Sequence, residues 1–179
     1  MKLLLKNLLF TILVPGSVAG WIPWILVRES GSPPARRLLL AAPAFAIGIG
    51  IYAWTVVNFA VIGRGTPAPI DAPRRLVIEG PHRCVRNPMY LGVLAVVLGW
   101  VLAFQSLVLL AYLALVALAF HAAVLFVEEP ALRRQFGAEY LAYCRAVRRW
   151  IPGALDGRCL AGRCPVRSDD AASACRRRE

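Results

Sequence analysis

The sequence predicts an all-α integral membrane protein, with about four transmembrane helices and a C-terminal amphipathic helix on the membrane surface. Three observations predict it. The chain has 179 residues, 59% of them hydrophobic, with a positive mean hydropathy; a soluble domain of this length needs more polar surface. Charged residues avoid three intervals: Asn7 to Val27, Leu38 to Gly63 and Asn87 to Val127. The net charge of +11 resides in the connecting segments and the tail, as in the cytoplasmic flanks of membrane proteins. With the charge so placed, nucleic acid is not an expected partner.

The first helix is expected near residues 8–27. Lys2, Lys6 and the run Ser17-Val18-Ala19 also resemble a signal peptide and its cleavage site. The apolar stretch, however, continues through Trp21 and Trp24 to Val27, which is long enough to span a bilayer and favours a retained helix. The second helix is expected near 38–62. The third interval holds 41 residues, and one crossing takes about 20, so it contains two helices, near 88–104 and 107–127, turning at Phe104-Gln105-Ser106. Small residues at four-residue spacing, Ala46 and Gly50 on the second helix and Ala95, Gly99 and Ala103 on the third, mark faces where helix backbones can approach in lipid.

Charge fixes the expected topology. With the N-terminus inside, eighteen of the 21 basic residues lie on the inner side, and only Arg28, Arg36 and Arg37 lie outside. The positive-inside rule therefore predicts that both termini are cytoplasmic, in the inner membrane if the source is bacterial. The loop from Gly63 to Asn87 carries Pro67, Pro69, Pro73 and Pro81, too many for a long helix, while Leu76-Val77-Ile78 is too apolar for pure linker. It reads as an ordered cap on the bundle. After Val127, Leu132, Phe136, Tyr140, Tyr143, Cys144 and Val147 form the apolar stripe of a surface helix, 130–147, bent at Gly137. Residues 1–152 thus form one membrane domain, and 153–179 a disordered basic tail. Cys159, Cys164 and Cys175 lack the paired spacing of a zinc site, so no metal is expected, and cytoplasmic placement implies reduced thiols at Cys84 and Cys144.

The chemistry-bearing residues cluster at two places. In GPHRCVRNPMYLG, Gly80 to Gly92, Asn87 suits a helix N-cap and Pro88 the first helical residue. The same helix start offers free N–H groups to a carboxylate or phosphate, with Arg86 as a neighbouring donor. At the end of the fourth helix stand Glu128 and Glu129, for which capping and solvation are the plain reading and ligand binding the functional one. His121, two turns before Glu128, is the ionisable group inside its apolar interval, and such residues are functional candidates.

Taken in order, RRLVIEGPHRCVRNPMYLG, an apolar helical hairpin and EEPALRRQFGAEYLAYCRAVRRWIP resemble the isoprenylcysteine carboxyl methyltransferase family and the related membrane phospholipid methyltransferases. GTPAP, Gly65 to Pro69, is similar to the bacterial branch. The resemblance implies S-adenosylmethionine as methyl donor and a lipid-like or lipid-borne acceptor, met at the cytoplasmic face. By motif position it implies a cofactor site lined by Leu76, Val77, His82, Arg86, Asn87, Pro88, Met89, Tyr90, Glu128 and Glu129. Methyl transfer needs no protein nucleophile, and Glu128 and His82 are the candidate bases for an amine acceptor. The chain has His82 where the family commonly has Tyr and Asn87 where it often has His. It has Val124 where the eukaryotic prenylcysteine enzymes carry a carboxylate-reading arginine, so an amine headgroup, a thiol or another lipid-like acceptor stays open beside a prenylcysteine carboxylate. Two alternatives are a sterol-reductase-like enzyme using NADPH and a non-enzymatic small membrane protein; oligomeric state is not legible.

Overall fold

The computed structural model describes residues 11, 13–63 and 76–151. The start of the first helix, Gly65 to Pro69, the arginines 64, 74 and 75, and the tail from 153 lie outside the described residues. Among those described, the chain is helical and contains no strand. Helix α1 spans Ser17–Val27 and opens with a π-helical turn, Ser17–Trp21. Helix α2 spans Ala35–Asn58, with a π-helical extension Phe59–Gly63. Helices α3, Pro88–Phe104, and α4, Leu107–Ala123, form a hairpin. A π-helical turn, Val124–Glu128, joins α4 to α5, Glu129–Ala146.

The bounds of α3 are those the sequence predicts. It ends at Gln105, whose left-handed backbone (φ 51°) lets its N–H reach the Val101 carbonyl at 2.7 Å. Helix α2 begins three residues before the predicted start, immediately after Pro34, and takes in Arg36 and Arg37. Charge limits a membrane crossing, not a helix, and the two ends need not coincide. The expected separation between the fourth helix and the surface helix is absent as well, for the helix continues through Glu128. The wider π turn precedes Pro130, which has no N–H to donate and whose ring crowds the carbonyl four residues earlier.

Two helices, Ala35–Val61 and Leu107–Ala146, are long and apolar enough to cross a membrane. Ser17–Val27 and Pro88–Phe104 are apolar but shorter. The most extensive helix contact joins α2 to α3. A methyl group added at Gly48 would stand 2.7 Å from the Gly92 carbonyl oxygen and 2.8 Å from the Val96 nitrogen, so the two backbones touch directly. This corrects the expected packing face on α2. Ala46 and Gly50 are exposed, and the face turned to α3 carries Ala41, Gly48 and Thr55, all buried, at seven-residue spacing. On α3 the expected face is partly met, with Gly99 and Ala103 buried. Helix α1 is tied in at its π turn, where Trp100 Nε1 donates to the Ala19 carbonyl (2.9 Å) and Tyr112 to that of Val18 (2.8 Å).

The apolar stripe of α5 packs against protein. Tyr140, Tyr143 and Val147 are buried, with Leu132, Phe136 and Cys144 beside them, against Leu76 and Ile78 of the loop before α3. The apolar loop residues are the partner that an isolated amphipathic pattern leaves unnamed. Helix α5 and the loop thereby become one unit, and the site lies between them.

Candidate functional site

Between the loop before α3, the first turn of α3, the α4–α5 junction and α5 lies a cavity of about 330 Å³, within the range of small-molecule sites. Leu76, Val77, His82, Arg86, Asn87, Pro88, Met89, Tyr90, Glu128 and Glu129 all line it, so the structure brings together the ten residues that the resemblance assigns to a cofactor site. Phe59, Val124, Phe136, Tyr140 and Tyr143 complete much of the wall. A second cavity of about 230 Å³, among α1, α2 and α3, is lined by none of the ten.

His82 sits in a short 3₁₀ turn, Gly80–Arg83. Its N–H donates to the Glu79 carbonyl (3.2 Å), and its own carbonyl accepts from the buried Tyr143 hydroxyl (2.7 Å). The ring meets Phe59 edge-on, 5.3 Å between centroids. Burial, against a smaller opposing effect of the Glu79 backbone, pushes the imidazole down to about 4, so it is neutral at physiological pH. Its Nδ1 is buried and makes no hydrogen bond, as is true of Arg86 Nε.

Asn87 occupies the N-cap position of α3, yet its side chain does not cap the helix. Its Nδ2 instead donates to the Arg149 carbonyl (3.2 Å), and the Arg86 N–H donates to the Arg148 carbonyl (2.9 Å). Arg149 also grips Glu129 with two nitrogens, Nε to Oε1 at 2.7 Å and Nη2 to Oε2 at 3.0 Å. Arg86 Nη1 donates to Glu129 Oε1 (3.1 Å) and to Cys144 Sγ (2.8 Å), while Arg133 approaches Oε2 at 3.5 Å. Glu129, expected as a helix cap, is a buried hub for three arginines, 4% exposed.

Glu128 differs from its neighbour in its partners. Its carboxylate accepts from the Tyr90 hydroxyl, and no arginine is paired with it among the described residues. The Tyr90 ring is packed against Phe120, with centroids 4.5 Å apart, and faces Trp150 at 6.4 Å. His121 is not in the cavity wall; its Nδ1 accepts from Trp150 Nε1 (3.0 Å). The sequence reading counts Arg148 and Arg149 toward topology alone and assigns Trp150 no role. The basic and aromatic run directly after an amphipathic helix is the signal that could have drawn attention to them.

The family model described as phospholipid methyltransferase matches residues 36–139, more than half of the chain. No curated protein and no solved structure matches it.

Proposed function

The chain belongs to the phospholipid methyltransferase family, which includes the isoprenylcysteine carboxyl methyltransferases, and on that footing we propose that it transfers a methyl group from S-adenosylmethionine to a lipid-borne amine. The carrying observation is the contrast between adjacent acids: Glu129 is neutralised by arginine, whereas Glu128 lines the cavity and, among the described residues, is held by Tyr90 alone. The residues fit such a cofactor. His82 and Arg86 line the cavity, and each has a buried side-chain nitrogen without a partner, His82 Nδ1 and Arg86 Nε; unsatisfied groups of this kind are rare. His82, Asn87 and Tyr90 would hold the cofactor from the α3 side and Glu128 from the other.

When bound, S-adenosylmethionine supplies a methyl group on a sulfonium sulfur, open to in-line displacement by the acceptor. The walls align acceptor and methyl group, and alignment supplies much of the rate. Phe59, Tyr90, Phe136, Tyr140 and Tyr143 present aromatic surface, which favours cations. An ammonium acceptor must lose a proton before it attacks, and Glu128 is the placed base. His82, neutral and weakly basic, is better suited to hydrogen bonding. Val124 gives the wall no positive charge, and Arg86 is already engaged with Glu129, which supports an amine over a carboxylate acceptor.

The proposal includes four crossings with both termini cytoplasmic. Support comes from the charge distribution and from the bonds that hold Arg86 and Asn87 to Arg148 and Arg149. A two-helix hairpin returns the chain to the face it left, where a water-soluble cofactor can meet a lipid headgroup. The test is calorimetric titration of S-adenosylmethionine into detergent-purified protein. Saturable binding, weakened about tenfold or more by Glu128→Gln with the melting temperature held, is the expected result. Failure of the folded wild type to bind would overturn the cofactor reading, and equal binding by the variant would overturn the role of Glu128.

A further inference from the structure

Helix α5 is interrupted at one residue. Gly137 has φ 50° and ψ −121°, inside an otherwise continuous helix from Glu129 to Ala146. L-residues rarely adopt this backbone conformation. Crowding does not explain the glycine, because a methyl group added there would meet no atom within 4 Å. The interruption therefore has a conformational basis.

Both halves of the broken helix line one cavity. Leu132 and Phe136 precede the break, Tyr140 and Tyr143 follow it, and all four are in the wall. In a straight helix Leu132 and Tyr143 would stand about 16 Å apart along the axis, and the break at Gly137 lies between them. Each half has its own anchors. Glu129 holds the first half to Arg86 and Arg149; the second is held by the Tyr143 hydroxyl on the His82 carbonyl and by Cys144 against Arg86.

We propose that Gly137 is a positioning residue, whose positive-φ backbone wraps α5 around the cavity and so sets the distance between its two aromatic walls. The inference rests on the cofactor reading for its binding consequence, but its geometric consequence stands independently. If α5 straightens, Cys144 leaves Arg86 and its partly exposed thiol becomes easier to reach.

The experiment compares wild type, Gly137→Ala and Gly137→Asn in the full chain. Each is titrated with S-adenosylmethionine and treated with a small alkylating reagent, with labelling of Cys144 read by peptide mass spectrometry against Cys84. The expected order of affinity is Gly, then Asn, then Ala, because φ 50° with ψ −121° matches the first central position of a type II′ turn, where glycine and asparagine are favoured over alanine. Ala should bind about tenfold more weakly, and its Cys144 should label faster. A demand for small size or mere flexibility would rank Ala above Asn and overturn the proposal, as would Ala matching wild type in both readouts. If Ala does not fold while Asn does, the positive-φ requirement is upheld; if Asn fails while Ala folds, it is lost. If wild type binds no cofactor, the proposed function fails, and Cys144 labelling alone decides the geometry.

Discussion

Where α2 meets α3 the chain uses the absence of side chains; where α5 meets the loop before α3 it uses charge and hydrogen bonds. At the first contact Gly48 and Gly92 bring backbone against backbone, and Phe45 rests on Gly99. At the second, Glu129 gathers Arg86, Arg133 and Arg149, and the carbonyls of Arg148 and Arg149 take donors from Arg86 and Asn87. The first contact is closed where Gly48 meets Gly92, and the cavity of about 230 Å³ beside it is lined by none of the ten candidate residues. The second satisfies most of its polar groups and leaves His82 Nδ1 and Arg86 Nε buried without partners. The incompletely satisfied contact is the one that borders the cavity of the candidate residues.

The largest effect that tests this contrast is expected at the hub. Glu129→Ala leaves Arg86, whose side chain is 12% exposed, without its carboxylate, and breaking a buried pair from one side costs about 3–5 kcal/mol. Thermal unfolding in detergent should show the loss, whereas Glu128→Gln should leave the melting temperature in place. Equal destabilisation by the two would remove the distinction between a structural and a ligand-facing acid.

The next effect depends on pH. His82 titrates at about 4 in the folded protein against an ordinary 6.5, with burial as the first cause. Between those values the unfolded chain binds the proton and the folded chain does not. Stability from this group is therefore intact above pH 6.5 and falls as pH drops toward 4, by up to about 3 kcal/mol. The stability difference between wild type and His82→Phe should change by that amount across the window. A constant difference would mean that the imidazole protonates freely and is not sealed in the wall.

These two regions also differ in how far the sequence discloses them. Asn87-Pro88 marks the start of α3 because helix-start chemistry is local, and the ten residues that the family resemblance implies surround one cavity because motif order is local too. The partners are not local. Arg149 lies 62 residues from Asn87 and 20 from Glu129, and no periodicity ties them. The stripe on α5 is visible as a pattern, but a pattern does not say whether it meets lipid or Leu76 and Ile78. On α2 the limitation is geometric. Ala46 and Gly50 share a face, Gly48 lies on another, and small size alone does not select between them.

That ambiguity supplies the two smallest predictions, which are opposite in sign. Gly48→Ala forces a methyl group to within 2.7 Å of the Gly92 carbonyl oxygen, and overpacking of this kind costs about 1–3 kcal/mol. A backbone oxygen cannot move aside as the end of a flexible side chain can, so the helices must separate. Gly50→Ala, two residues on, adds a methyl group that meets nothing within 4 Å. There only the intrinsic preference of the helix acts, and alanine should stabilise it by about 0.5–1 kcal/mol. The pair can be measured side by side as shifts in melting temperature in one detergent. If Gly50→Ala destabilised the protein as much as Gly48→Ala, the face predicted from spacing would be the packed one, and the register assigned to the α2–α3 contact would be wrong.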